Sequence, residues 1–437
     1  MSDADRADQT NEAGQGDLAG AAFEQPLKGV KVLELSQIMA GPTCGLMLAD
    51  MGAEVYKVEK FPGGDDARNY RREGDSGLPP SFMMLNRGKR SIGINVKSEE
   101  GKAALLRMVA QADVLTENFR LGVMERLGLG YDVLREVNPA LIYCSITGYG
   151  RAGPLAKKGG FDLILQAFSG LISVTGEDGG EPVKPGVSIA DVNAGVLAAV
   201  GILAAYIHRL RTGKGQRVDT SLLQASMQQL YWYAAGYFSR GIVPKPSGTA
   251  HPLIAPYQVY RCQDGRVAIG GANQANWERI ADILGHPEWK DDARFDTPDL
   301  RLANRKTLAT LIEAVLATDT LASWLDRFDA AAIPAGPVQD VGQALEHEQA
   351  RAVRMVVDVE APDGGTARAL GLPILFNGKT RIAAGAPPRV GQDTAQILRD
   401  FNFTDAEIER LVACGAVLQA PRPAPAGVPS VAEAEAI

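Results

Sequence analysis

The stretch GVSIADVNAGVLAAVGILAAYIH (Gly186–His208) places one carboxylate, Asp191, at the head of a segment that is otherwise small or apolar. A carboxylate in such a setting has two uses. It can cap a helix, which on residue type alone is the commoner role. It can also serve as a nucleophile whose covalent adducts divide a slow exchange into faster steps. Ser188, Ala190, Asn193, Ala194 and Gly195 leave room for a bulky acyl group. The N–H groups of a helix start favour an ionised carboxylate and can stabilise an oxyanion.

Other chemistries find less support. The segment SQIMAGPT follows the first expected strand where a nicotinamide-binding chain would carry GxGxxG, and GxxxxGK[ST] occurs nowhere. GGDD and GEDGGE read as turns, because adjacent carboxylates repel phosphate. The four cysteines, Cys44, Cys144, Cys262 and Cys414, are far apart, and the four histidines are equally scattered. Neither a metal site nor a disulfide framework is expected, and reduced thiols point to a cytoplasmic protein.

The elements that must position Asp191 follow from the hydrophobic pattern. Val30–Ser36, Glu54–Glu59, the RSIGINV stretch, DVLTENF and LIYCSITGYG read as strands. Helices are expected over Cys44–Ala53, over SEEGKAALLRMVAQA with Ser98 as its cap, and over YDVLREVN. Strands alternating with helices predict an α/β fold, a Rossmann-like parallel sheet covered on both faces, with ligands outside the carboxyl ends of the strands. A short strand (Gln216–Asp219) and a helix follow the apolar segment. YQVYRCQDGRVAIGG reads as a hairpin turning at Asp264–Gly265, and extended structure resumes near Met355.

The 437 residues exceed one ordinary domain. The expected organisation is a disordered tail over 1–24, a large Rossmann-like domain over 25–225, a Gly- and Pro-rich linker over 226–250, a smaller α/β domain over 251–345, a return linker and C-terminal part of the large domain over 346–417 and a disordered tail over 418–437. The net charge of −7, without a block of like charges, argues against a nucleic-acid groove or a membrane-binding face. The longest uncharged apolar run, Ala194–Ile207, is shorter than the roughly 20 residues a membrane span needs and reads as a buried helix.

Several stretches together, in order and spacing, resemble the family III (formyl-CoA transferase-like) CoA-transferases. They are LKGVKVLELSQIMAGPTCGLMLADMGAEVYKVEK, LNRGKRSIGINVKSEEGK, DVLTENFRLGVMERLGLGYD, SITGYGRAGP, FDLILQAFSGL and GVSIADVNAGVLAAVGILAA. The likeness runs from about Pro26 to about Val417. It implies an interlocked, ring-like homodimer with a large Rossmann-like domain and a small one. It also implies an enzyme that holds no permanent cofactor, takes a CoA thioester as substrate and passes CoA to a carboxylic acid through aspartyl intermediates.

The resemblance assigns roles residue by residue. The catalytic aspartate maps to Asp191. Met39 and Ala40 would lie against adenine and ribose, Lys60 and Lys97 against the phosphates, with Ile94 in the same groove. Asn118, Phe119 and Arg126 would sit by the pantetheine and phosphates, Arg120 close behind, and Lys158 is a further candidate. The chain departs from formyl-CoA transferase itself. Tyr70 stands where that enzyme has Trp, and GTAHPLIAPYQVY (Gly248–Tyr260) replaces its glycine-rich loop. That segment is closer to members handling succinyl and glutaryl groups. A distal carboxylate would need a cation, for which Arg68, Arg71, Arg72 and His251 are candidates, and Asp162 would help near the acyl group.

Two alternatives remain at this point. A same-fold α-methylacyl-CoA racemase needs a proton-moving His in a GHD triplet, but GFD places Phe161 there. A non-catalytic acyl-CoA-binding protein would keep the basic residues without an ionised Asp191.

Overall fold

The computed structural model describes residues 25–70, 78–362, 364–379 and 382–420. Both expected tails fall mostly outside these. The described chain forms two compact units: 25–165, 188–226 and 348–420 in the first, 166–187 and 227–347 in the second. Residues 166–187, read as part of the large domain, therefore belong to the other unit. The expected linker also carries a helix, Tyr231–Arg240, ended by Gly241 at φ 67°. The Gly- and Pro-rich signal for a crossing starts only after that helix.

In the first unit, β1 (Lys31–Glu34), β2 (Glu54–Lys60), β3 (Arg90–Ile94), β4 (Val114–Glu117), β5 (Ile142–Thr147) and β6 (Arg217–Ser221) pair in parallel. A two-residue strand, Val417–Leu418, closes the β3 edge antiparallel, giving seven strands in the order closing strand, β3, β2, β1, β4, β5, β6. The order reverses between β1 and β4, the switch point where open α/β sheets receive ligands.

Alternation builds the two faces. Val32 belongs to one core with Val55, Val114 and Ile142, while its neighbour Leu33 belongs to the other with Tyr56, Ile92 and Leu115. The first face is covered by α1 (Ala40–Asp50) and the second by α2 (Glu99–Val109), whose start is capped as expected by Ser98 accepting from the Gly101 N–H. Helix α1 starts four residues earlier than the apolar pattern suggests. Pro42 sits in its first turn, where the missing N–H would have no intrahelical acceptor anyway.

Asp162 opens α3 (Asp162–Ser169), and the apolar segment forms α4 (Ile189–Thr212), closed by Gly213 at φ 72°. By length and composition α4 is apolar enough to cross a membrane, but Ala190, Ala194, Ala198, Ile202 and Ala205 are buried in the first core. The small residues let α4 approach α1 closely. A Cβ on Gly195 would lie 2.5 Å from the Ala40 carbonyl oxygen and 2.7 Å from Thr43 Cβ. The starts of α1 and α4 are thereby held side by side.

The second unit has a three-stranded antiparallel sheet. β7 (Tyr257–Arg261) and β8 (Arg266–Gly270) form the expected hairpin, and β9 (Ala335–Pro337) joins β8. Its core is built on Trp277, Phe295, Ile312, Trp324 and Phe328. Back in the first unit, β10 (Val356–Glu360) and β11 (Thr366–Leu370) make a second hairpin. The Arg87 guanidinium, fully buried, pairs with Asp50 at 2.5 and 2.7 Å and donates to the carbonyls of Leu370 and Ala383, fastening this return segment to α1.

Candidate active site

Asp191 is the third residue of α4, and it does not cap the helix. The N–H of Ala190 is instead satisfied by Asp162 Oδ1 at 3.1 Å. Among the described residues the Asp191 carboxylate has no hydrogen-bond or ion-pair partner. Burial first, and then the nearby charge of Asp162, push its pKa up to about 7. Helix position favours the anion, but here desolvation outweighs it.

Three cavities adjoin the carboxyl ends of the strands. One of about 250 Å³ is lined by Gln37–Ala40 after β1, Asn118–Leu121 after β4, Thr147 and Gly148 at the end of β5, and Lys158–Phe161. Asp191 is its one acidic residue, facing Arg120 and Lys158. A second, of about 350 Å³, shares Ile38, Met39, Phe161 and Asp191 and adds Tyr70, Ser81, Leu85, Asp162 and Ser188. A third, of about 340 Å³, lies beyond Phe119 and is lined by Val58, Lys60, Ile94, Val96, Lys97, Val123 and Arg126.

The first unit therefore gathers most of the residues singled out in the sequence. Met39, Ala40, Asn118, Phe119, Arg120, Lys158 and Asp191 line the first cavity, and Lys60, Ile94, Lys97, Phe119 and Arg126 the third. Among the described residues, Lys97, Arg120, Arg126 and Lys158 have no ion-pair partner, whereas Lys60 is paired with Asp66. Four cations left unpaired around connected hollows suit a polyanion. Asn118 lines the cavity, but its amide is committed elsewhere. It accepts from the Gln37 N–H at 2.9 Å and donates to the Gln37 carbonyl at 2.8 Å, stapling the β1 and β4 loops together.

The substrate candidates separate. Tyr70 stays half-exposed on the cavity wall; burial, then the charges of Asp65, Asp191 and Asp66, push its hydroxyl pKa up. Asp162 is buried and occupied at the start of α4. Arg68 corrects the expectation of a free cation. Its guanidinium is buried on Glu59 at 2.6 and 2.7 Å and stacks over the Phe82 ring, so no charge is left for a distal carboxylate. Arg71 and Arg72 lie outside the described residues. His251 belongs to the second unit, where Nδ1 accepts from the Leu253 N–H and the ring packs near Trp232 and Tyr257.

Phe161 is exposed beside Asp191 and lines both cavities that the aspartate faces. An aryl ring cannot exchange protons, so the site lacks the paired base a racemase requires.

Sequence reasoning missed a buried ionic layer beneath this site. Lys57 Nζ reaches Glu34 at 3.0 Å and Asp65 at 2.8 Å, and Lys89 reaches Glu34 at 2.9 Å. Burial works against the Lys57 ammonium, but Glu34 and Asp65 outweigh it and hold it protonated. The GGDD stretch reads in the sequence as a turn, and the available signal for the layer is Lys57 set between the apolar Tyr56 and Val58 of β2.

With this geometry in view, similarity to known proteins is informative. The CoA-transferase family III model matches residues 27–394. The chain belongs to CoA-transferase family III. It is 40% identical over 400 residues to an acyl-CoA transferase of Fusarium pseudograminearum, covering 89% of this chain and 87% of that one. It is 36% identical over 396 residues to the succinyl-CoA:glutarate CoA-transferase of Mus musculus, covering 90% and 91%. A crystal structure of a CAIB/BAIF family protein from Brucella suis superposes with TM-score 0.77 at 37% identity, covering 87% of this chain and all of the other.

Proposed function

We propose that this family III CoA-transferase moves CoA from a succinyl-type thioester to a carboxylic acid acceptor through covalent intermediates on Asp191. The observation that carries the reading is a half-buried carboxylate that has no partner among the described residues, facing a hollow edged by unpaired cations.

Exchanging one thioester for another is nearly isoergic, so the obstacle is the barrier. The Asp191 carboxylate attacks the thioester carbonyl, the C–S bond breaks and CoA leaves as thiolate, giving a mixed anhydride. The thiolate attacks the aspartyl carbonyl and displaces the donor acid, leaving an aspartyl-CoA thioester. The acceptor carboxylate then attacks that carbonyl and expels the thiolate, which takes the new acyl group and frees Asp191. Each displacement passes through an oxyanion. Among the described residues, the N–H groups of Ile189 and Asp191, and those of Met39, Ala40 and Gly41 at the start of α1, have no acceptor and can serve it; on this reading Met39 and Ala40, which share a cavity with Asp191, attend the reacting carbonyl and not the adenine and ribose that the resemblance implied.

The polyanionic end of CoA fits the cavity of Lys97 and Arg126, with Phe119 between it and the reacting end. The name of the mouse relative supports the dicarboxylic acyl class. We read the working enzyme as a cytoplasmic homodimer; the exposed Val200, Ile207 and Leu210 on α4 support a covering partner.

Incubation with succinyl-CoA, hydroxylamine trapping and peptide mass spectrometry test this. The expected result is a hydroxamate at Asp191, with Asp191→Ala retaining CoA binding and losing exchange. Exchange at the wild-type rate in Asp191→Ala would refute it.

A further inference from the structure

Ile38 has φ of 69°, a left-handed conformation that a β-branched residue rarely adopts and that strains it. It lines both cavities that Asp191 faces. Its N–H donates to Asp65 Oδ1 at 3.0 Å. The same oxygen accepts from the Ala67 N–H at 2.9 Å, and the other carboxylate oxygen meets Lys57 Nζ at 2.8 Å. Lys57 is fully buried, held by Glu34 and by the Ser36 carbonyl, which is itself in the same loop. One residue before Ile38, Gln37 is pinned through both backbone groups by Asn118. One residue after it comes Met39, which with Ala40 and Asp191 lines the same cavity.

A strained residue persists only where its surroundings over-determine it, and such strain is stored at working sites. We propose that Asp65 is a positioning residue for acyl transfer: by holding the Ile38 N–H it keeps the β1–α1 loop in its left-handed form and the Met39 and Ala40 N–H groups aimed at the reacting carbonyl. This rests on the function proposed for Asp191. Asp65 touches no substrate; it acts through the Ile38 backbone. The buried lysine fixes Asp65, so the layer under the site sets the loop above it.

The test uses Asp65→Ser, whose shorter side chain still caps Ala67 but does not reach Ile38. Its kcat for succinyl-CoA exchange should fall about ten- to a hundredfold, the loss of one charge-assisted bond and release of the strained loop. KM for the thioester should change less than about threefold, because the Lys97 and Arg126 cavity is untouched. Adding Ile38→Gly, which adopts a positive φ without penalty, should restore about fivefold or more of the lost kcat. A role in stability alone, or a direct role for the Asp65 carboxylate, predicts no such rescue. Unchanged kcat in Asp65→Ser, or a double variant no faster than the single one, would overturn the proposal. Hydrogen exchange on the wild-type protein gives an independent reading: the Ile38 amide should be protected, and exchange at the rate of an open loop would also overturn it. If wild-type enzyme forms no adduct at Asp191, the reading of function fails instead, while amide protection still reports on the Asp65 contact.

Discussion

At neutral pH the Asp191 carboxyl is poised at its own midpoint, since burial and the Asp162 charge set its pKa at about 7. Only the anion attacks, so kcat/KM for exchange should rise about tenfold per pH unit below 7 and level off above it, read from a pH–rate profile at saturating acceptor. The same shift bears on stability with a defined sign. The native carboxyl keeps its proton to higher pH than the unfolded one, so its contribution is most favourable below about pH 4 and is lost as pH rises towards 7. Asp191→Asn should therefore melt higher than the wild type at pH 8, by a margin of order 3–4 kcal/mol, and the gap should close towards pH 4 in thermal scans. Lys97 and Arg126 act on binding instead. Replacing either with Ala should raise KM for succinyl-CoA about five- to fiftyfold and leave kcat near the wild-type value, and the effect should shrink at high salt.

Helices α1 and α4 are the elements that turn residue chemistry into a site, and their closeness depends on Gly195. Gly195→Val forces a side chain against the Ala40 carbonyl and Thr43, which costs on the order of 1–3 kcal/mol of stability. Because both helix starts flank the cavity, exchange should also fall, measured on protein shown to be folded by its near-ultraviolet dichroism. Much at this scale could be read in the sequence. Alternation gave the parallel strands, the apolar run gave α4, and Asp191 stood out at its head. Loop residues were harder. Residue type alone does not tell that Arg68 turns back onto Glu59 of the strand just before it, because an arginine after a Gly-rich turn reads equally as an exposed cation. Ile38 carries no composition signal for a left-handed backbone, which only Asp65 and the Asn118 staple explain. Nor does any pattern announce that 166–187 joins the second unit, since membership there is a matter of long-range contact.

Across the whole molecule the first unit is assembled from three separated stretches of chain, and the Arg87–Asp50 pair is the clasp of the last one. Arg87→Leu leaves Asp50 buried without its partner and two carbonyls without donors, which costs about 3–5 kcal/mol. Its urea transition should shift to lower denaturant, with the β10–β11 hairpin losing amide protection first.

Val417–Leu418, now β12 by chain order, lies along the free side of β3. A ribosome makes that cover only after the whole second unit has emerged. At ordinary elongation rates this leaves the Arg90–Ile94 strand bare for roughly half a minute. During that interval its open N–H and C=O groups can stitch to the same strand of a neighbouring nascent chain. Newly made polypeptide therefore needs shielding along that flank, and yield in a foreign host should depend more on chaperone supply than on the stability of the finished fold.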